Sequence, residues 1–137
     1  MNPILKNILA VIAGVVVGCL VNGAIIMVSD SIIPAPNGAD VTTTEGLKAT
    51  IHLFEPKHFI FPFLAHALGT LVGAFLTVKL VANNQFRFSI VIGLLFFIAG
   101  VLNILMLPSP VWFNTVDLVG AYFPFALLGY FLNNKNR

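Results

Sequence analysis

Few side chains in this sequence can do chemistry, so where they stand is informative. Three histidines, five acids and one cysteine are set in 137 residues, of which 58% are hydrophobic and 9% charged. The densest group is His52-x-x-Glu55-x-x-His58. Two imidazoles and a carboxylate are suitable zinc ligands. On one continuous helix, spacings of three and six would keep them on one side. Pro56 interrupts such a helix, and the spacing matches no established metal signature. The trio is therefore a metal candidate on ligand type alone, and no bound metal or cofactor is expected. His66 is different, because it lies inside an apolar run. An imidazole there either serves a proton or ligand or makes one hydrogen bond across a helix interface, and both readings stay open. Thr70, Gly73 and Thr77 fall within about 60° of His66 on a helix that turns about 100° per residue, and Glu55 projects near the same face. Asn22, Asn103 and Asp117 are the other polar groups in apolar surroundings. The asparagines read as helix–helix partners or as wall residues of a cavity. Asp117 reads as an acid favoured by a helix dipole or as a further wall residue. No nucleophile motif, phosphate loop or dinucleotide fingerprint is present, and the lone Cys19 excludes an internal disulfide.

These residues need elements to position them, and the composition limits what those elements are. A soluble domain carries about 25% charged residues, far more than this chain, so a membrane-spanning class is expected. Roughly 20 apolar residues cross the hydrocarbon core. Four runs qualify, at about residues 4–28, 59–82, 88–107 and 115–132, in a single domain over residues 1–137. The first run competes with a signal peptide, because Val16-Val17-Gly18-Cys19 resembles a lipoprotein cleavage box. It continues well past Cys19, however, further than signal h-regions do, which favours a true span. Residues 29–58 form the one long polar segment. It opens with the turn-forming Pro34-Ala35-Pro36-Asn37-Gly38. Thr42-Thr43-Thr44-Glu45-Gly46-Leu47 then suits a helix start, with a threonine N-cap and an acid in the first turn, and Leu47, Ile51 and Phe54 at helical spacing suit a short helix lying on the membrane surface. Residues 83–87 read as a tight loop, Trp112 as an interfacial aromatic, and Pro124 as a kink in the fourth span.

Small residues recur at steps of four: Ala10, Gly14, Gly18 and then Asn22 in the first span, and Ala65, Gly69 and Gly73 in the second. Such spacings let helix backbones approach closely in lipid, so these two spans are expected to pack tightly. Two strings also echo one another, Leu71-Val72-Gly73-Ala74-Phe75 and Leu118-Val119-Gly120-Ala121-Tyr122, which suits a parallel repeat or chance.

With four spans, Lys6, Lys79, Arg87, Lys135 and Arg137 share one side, against Lys48 and Lys57 on the other. The positive-inside rule then puts both termini in the cytoplasm. A net charge of +2 is too small to suggest nucleic acid. In this orientation Asn22, His66, Asn103 and Asp117 all fall in the outer part of the bundle, His66 about 10 Å below its helix end at 1.5 Å per residue. A channel lines its whole length with polar groups, and a single chain of this sequence does not. Glu55, His58, His66, Thr70, Asn22, Asn103 and Asp117 are therefore expected to line an outward-facing pocket.

The string Leu53-Phe54-Glu55-Pro56-Lys57-His58-Phe59, continued by Pro62-Phe63-Leu64-Ala65-His66-Ala67-Leu68-Gly69-Thr70, resembles an uncharacterised family of small bacterial membrane proteins. That resemblance implies a bacterial inner membrane and four helices, and no activity. The expected fold is all-α: a polytopic bundle of four transmembrane helices with a short extracytoplasmic interfacial helix between the first two. The expected role is a non-enzymatic accessory or a partner- or ligand-binding subunit in the lipid bilayer, alone, as a homo-oligomer or within a larger membrane complex. A small-solute or ion transporter acting as an oligomer, and a small membrane enzyme using His66 or Glu55 with His58, remain the alternatives.

Overall fold

A computed structural model describes residues 1–135. Arg137, counted in the charge tally above, lies outside them. The described residues fold as six α-helices with two short 3₁₀ turns and no strand: α1 (Pro3–Ile32), α2 (Thr44–Thr50), α3 (Ile60–Leu80), α4 (Gln85–Met106), α5 (Val111–Gly120) and α6 (Phe123–Lys135). The 3₁₀ turns, Ile51–Leu53 and Pro56–Phe59, join α2 to α3. Four stretches are long and apolar enough to cross a membrane: Pro3–Ile32, Pro56–Leu80, Gln85–Met106 and Val111–Lys135. The last is α5 and α6 laid end to end.

The first helix runs further than its apolar stretch, through Ser29, Asp30 and Ser31. Ser29 and Ser31 donate their hydroxyls to the carbonyls of Ile26 and Val28, at 2.6 and 2.7 Å, so polar residues stay within the helix. It stops at Ile33, because a residue before proline is pushed out of helical conformation. At the other end of the bundle the expected 83–87 loop shrinks. Asn84 takes a left-handed conformation, φ 54°, which asparagine tolerates better than most residues, and α4 starts directly after it. The fourth span begins at Val111, not near residue 115, so Asp117 sits late in α5 and caps nothing. Its expected kink is a full break at Ala121 and Tyr122. Pro124 has no N–H to offer the carbonyl four residues earlier, so the helix ends at Gly120 and restarts at Phe123. Both residues of the break are buried.

The central helix is α3, which packs on α1 along one face and on α4 and α6 along the other. Along the middle of α1 the contact is backbone to backbone. A Cβ added at Gly14 would lie 2.6 Å from the Gly73 carbonyl oxygen, and one at Gly18 would lie 2.7 Å from that of Gly69. The reverse holds too, at 2.8 Å for both Gly69 and Gly73. Ala10 and Ala65 extend the same buried stripe. The rest of α1 presents large apolar side chains such as Ile8, Ile12, Val16 and Leu20 outward.

The bundle therefore has a turn end, with the start of α1 and residues 81–84, and a loop end, with residues 33–59 and 107–110. At the loop end an aromatic group holds the connection down. Phe59 packs against Phe113, tilted, at 4.7 Å and against Trp112, edge to face, at 5.6 Å between ring centroids, and Ile51 and Phe54 join the cluster.

Candidate functional site

At the loop end, above the last glycine contact, α1 and α3 cease to touch closely, and a cavity of about 470 Å³ opens between α1, α3 and α4. Asn22 and Ile26 of α1, Phe61, Pro62 and His66 of α3, and Asn103 and Leu107 of α4 form its walls. Val41, Leu47, Ile51, Phe54 and His58 roof it. The roof is held by its own caps. Thr43 accepts a hydrogen bond from the Gly46 N–H at 2.9 Å, and the Thr50 hydroxyl accepts one from the Asp40 N–H at 3.0 Å.

His66 is the most constrained polar group in this wall. Its Nδ1 lies 2.8 Å from Oδ1 of Asp117. The second oxygen of Asp117 accepts the Tyr122 hydroxyl at 2.9 Å, and the His66 ring stacks on that of Tyr122, centroids 5.8 Å apart and 25° from parallel. Asp117 is 3% exposed, and Tyr122 2%. Room for the Tyr122 hydroxyl is made by Gly100 of α4, where any Cβ would overlap it. The break between α5 and α6 belongs to this arrangement: it lets Asp117 from one helix and Tyr122 from the turn reach the same imidazole. With Asp117 ionised, the carboxylate offers only acceptors. The proton then sits on Nδ1, and Nε2 is left with a lone pair. Nε2 is the free nitrogen of a ring that lines the cavity. It can accept a hydrogen bond from a group in the cavity.

The structure separates the residues that the sequence grouped together. Asn22, His58, His66 and Asn103 line the cavity; Glu55, Thr70 and Asp117 do not. Glu55 is exposed and lies 3.6 Å from Lys57, because its backbone starts the Pro56–Phe59 turn at the surface. Its N–H donates to Nδ1 of His58 at 2.9 Å, which occupies one nitrogen of that imidazole. Thr70 is buried and donates its hydroxyl to the His66 carbonyl at 2.7 Å, the bond a threonine inside a helix makes when no other acceptor is near. Asp117 stands behind His66 instead of beside it. His52, Glu55 and His58 do not converge either: among the described residues no group of three or more His, Cys, Asp or Glu could hold a metal ion.

Tyr122 is the residue of this arrangement that sequence reasoning missed. The signal was present in the echo of the two spans. Where the first string ends in Phe75, the second ends in Tyr122, five residues after a buried acid and two before a proline. The difference between those two rings is the hydroxyl that Asp117 accepts. Asn22 and Asn103 provide the remaining polarity. Among the described residues neither side-chain amide has a hydrogen-bond partner in the protein, so both remain available to whatever enters. No family model matches this sequence, and the comparisons with curated proteins and with solved structures find no relative.

Proposed function

We propose that this chain is a small polytopic membrane protein whose cavity opens on the outer face and binds a ligand or partner group through His66, without itself catalysing a reaction. The observation that carries the reading is the held imidazole: Asp117 and Tyr122 fix one edge of the ring and leave Nε2 free in the wall of a cavity. Polar groups without partners are costly at membrane depth, and His66, Asn22 and Asn103 supply three on one cavity. A volume of about 470 Å³ suits a small-molecule site, which spans about 300–1,000 Å³. The excess of lysine and arginine at the turn end supports a cytoplasmic placement for that end, with α2 at the opposite surface. The family resemblance supports a bacterial inner membrane.

Thiol labelling tests the reading. In a Cys19→Ser background, Asn22→Cys and Asn103→Cys should react with a membrane-impermeant maleimide added from outside, while Thr77→Cys, buried at the turn end, should not. Protection of both cavity positions would overturn the proposal. The break between α5 and α6 favours one second reading, a transporter, since discontinuous helices build the sites of many such proteins. Flux of candidate solutes into proteoliposomes that depends on His66 would select it.

A further inference from the structure

The wall of this cavity specifies a class of ligand, and the inference rests on the pocket reading above. Its lining contains no lysine or arginine, and its one acid, Asp30, is exposed at the mouth of the loop end and not at depth, where its Oδ1 accepts the Ala35 N–H at 3.0 Å. An anionic head would therefore meet no cation, and Asp117 would face it from behind His66. A cationic head would need a free carboxylate at depth, and both Asp117 oxygens are engaged, by His66 and Tyr122. Burying an unpaired charge is far more costly than burying a hydrogen-bonded neutral group. The head should be uncharged. It should also donate, because Nε2 is an acceptor in the tautomer that Asp117 sets. A hydroxyl meets both demands: it donates to Nε2, and its oxygen accepts from the amide of Asn22 or Asn103. Apart from Ser29, Asp30, His58 and Ser109, the remaining wall is aliphatic and aromatic, and α1 and α4 barely touch each other, so an apolar chain has a way out between them toward lipid.

We infer that the cavity takes a neutral amphiphile with a hydroxyl head, of the monoacylglycerol type, with its head at Asn22, His66 and Asn103 and its chain leaving between α1 and α4. The orientation follows from the chemistry of the wall, in which the free polar groups of three helices line one cavity among mostly apolar side chains.

Photo-crosslinking of the full chain in nanodiscs decides the matter. Three probes share one diazirine-bearing oleoyl chain and differ in the head: monooleoylglycerol, methyl oleate and oleate. The glycerol ester should be captured at least about tenfold more than the other two, a factor worth about 1.4 kcal/mol. Capture should fall by a similar factor in Asn103→Leu, which removes no bond within the protein, and in His66→Phe. Equal capture of the three probes, preference for the carboxylate, or undiminished capture in both variants would each overturn the inference. If the cysteines at 22 and 103 label but no probe is captured, the pocket stands and this ligand class falls. If they do not label, both readings fall together.

Discussion

Asn7 and Asn22 lie on the same helix, four turns apart, and their side chains are treated in opposite ways. At the turn end, Asn7 accepts the Ala82 N–H at 2.7 Å and donates to Asn83 at 3.1 Å. Nearby, Thr77 donates to the Gly73 carbonyl at 2.8 Å and approaches that of Ala10 at 3.3 Å. Among the described residues, Asn133 alone there keeps a buried side-chain atom, Nδ2, without a partner. At the loop end, Asn22, Asn103 and the Nε2 of His66 share a cavity and have no partner within the protein. The boundary between the two regimes is the end of the glycine stripe. Ala10, Gly14, Gly18 and Asn22 continue one step of four, and Asn22 is the first member with a polar side chain: its Cβ still faces Gly69, and the residue lines the cavity. Where the step is small, the backbones touch and polar groups are satisfied internally. Where it becomes polar, the helices part and polar groups await an occupant. Along α1, polarity thus marks structure at Asn7, where it is paired, and the cavity wall at Asn22, where it is not.

The largest expected effect breaks the closed half. Gly14→Leu drives a side chain into the backbone of α3, and backbone cannot move aside as a flexible side chain can. The expected cost exceeds the about 1–3 kcal/mol of ordinary overpacking, and a titration with SDS should show it as loss of the folded form. Gly23→Ala is the control on the same helix. Nothing lies within 4 Å of a Cβ there, so the substitution should be neutral or should stabilise by up to about 1 kcal/mol through better helix propensity. Equal destabilisation by both would mean that the α1–α3 contact does not hold the bundle.

Second in size is the support of the site. Asp117→Leu removes the acceptor of both His66 and Tyr122. His66 can turn toward the cavity, whereas the Tyr122 hydroxyl is left buried, so a cost of about 1–3 kcal/mol is expected. The Nδ1–H resonance of His66 should disappear from its hydrogen-bonded position in the nitrogen spectrum of the ring. If it stays, the imidazole is held by something other than Asp117. The converse change, Gly100→Ala, should move the Tyr122 hydroxyl and weaken the same bond from the α4 side.

Third comes the pair that gave the comparison. Asn7→Ala loses two hydrogen bonds, one to a backbone N–H that is then left without a partner, and should cost about 1–3 kcal/mol. Asn22→Ala keeps the Cβ that faces Gly69 and loses no bond, so it should stay within about 0.5 kcal/mol of the parent. Melting temperatures in detergent would compare them directly. A large loss for Asn22→Ala would make it a structural residue and close the distinction.

What could be read in the sequence follows from the same physics. The four apolar runs were legible because length and composition alone decide whether a helix can cross a bilayer. The glycine steps were legible because a helix has a fixed period. Periodicity places a residue on a face but does not say how far the neighbouring helix stands. That is why Thr70 and Glu55 were grouped with His66 although one is buried against its own helix and the other is at the surface. It is also why Asp117 was taken for a wall residue or a cap. Its role depends on a break that only Pro124 announced, and on Tyr122, whose hydroxyl is meaningful only once Gly100 has made room for it. The extension of α1 through Ser29 and Ser31 was hidden for another reason: their polarity suggests an exit from the helix, and their hydroxyls bond to it instead.

The smallest effect concerns the roof, which exposed polar groups help to hold. Asp40 accepts both the N–H and the hydroxyl of Thr42, and these bonds hold its carboxyl below its ordinary value of 3.8. A carboxylate whose folded value is depressed stabilises the folded form above its unfolded value, and that contribution is lost as the pH falls through the lower folded value. The turn at residues 40–43 should therefore be intact above about pH 4 and should loosen only in more acidic solution. Because the group is fully exposed, the change should be local: faster hydrogen exchange at the Thr42 amide and none at Ala82, whose partner Asn7 does not titrate. Acid loosening of both amides together would show that the roof and the turn end unfold as one unit, and that the two halves of the bundle are not independent.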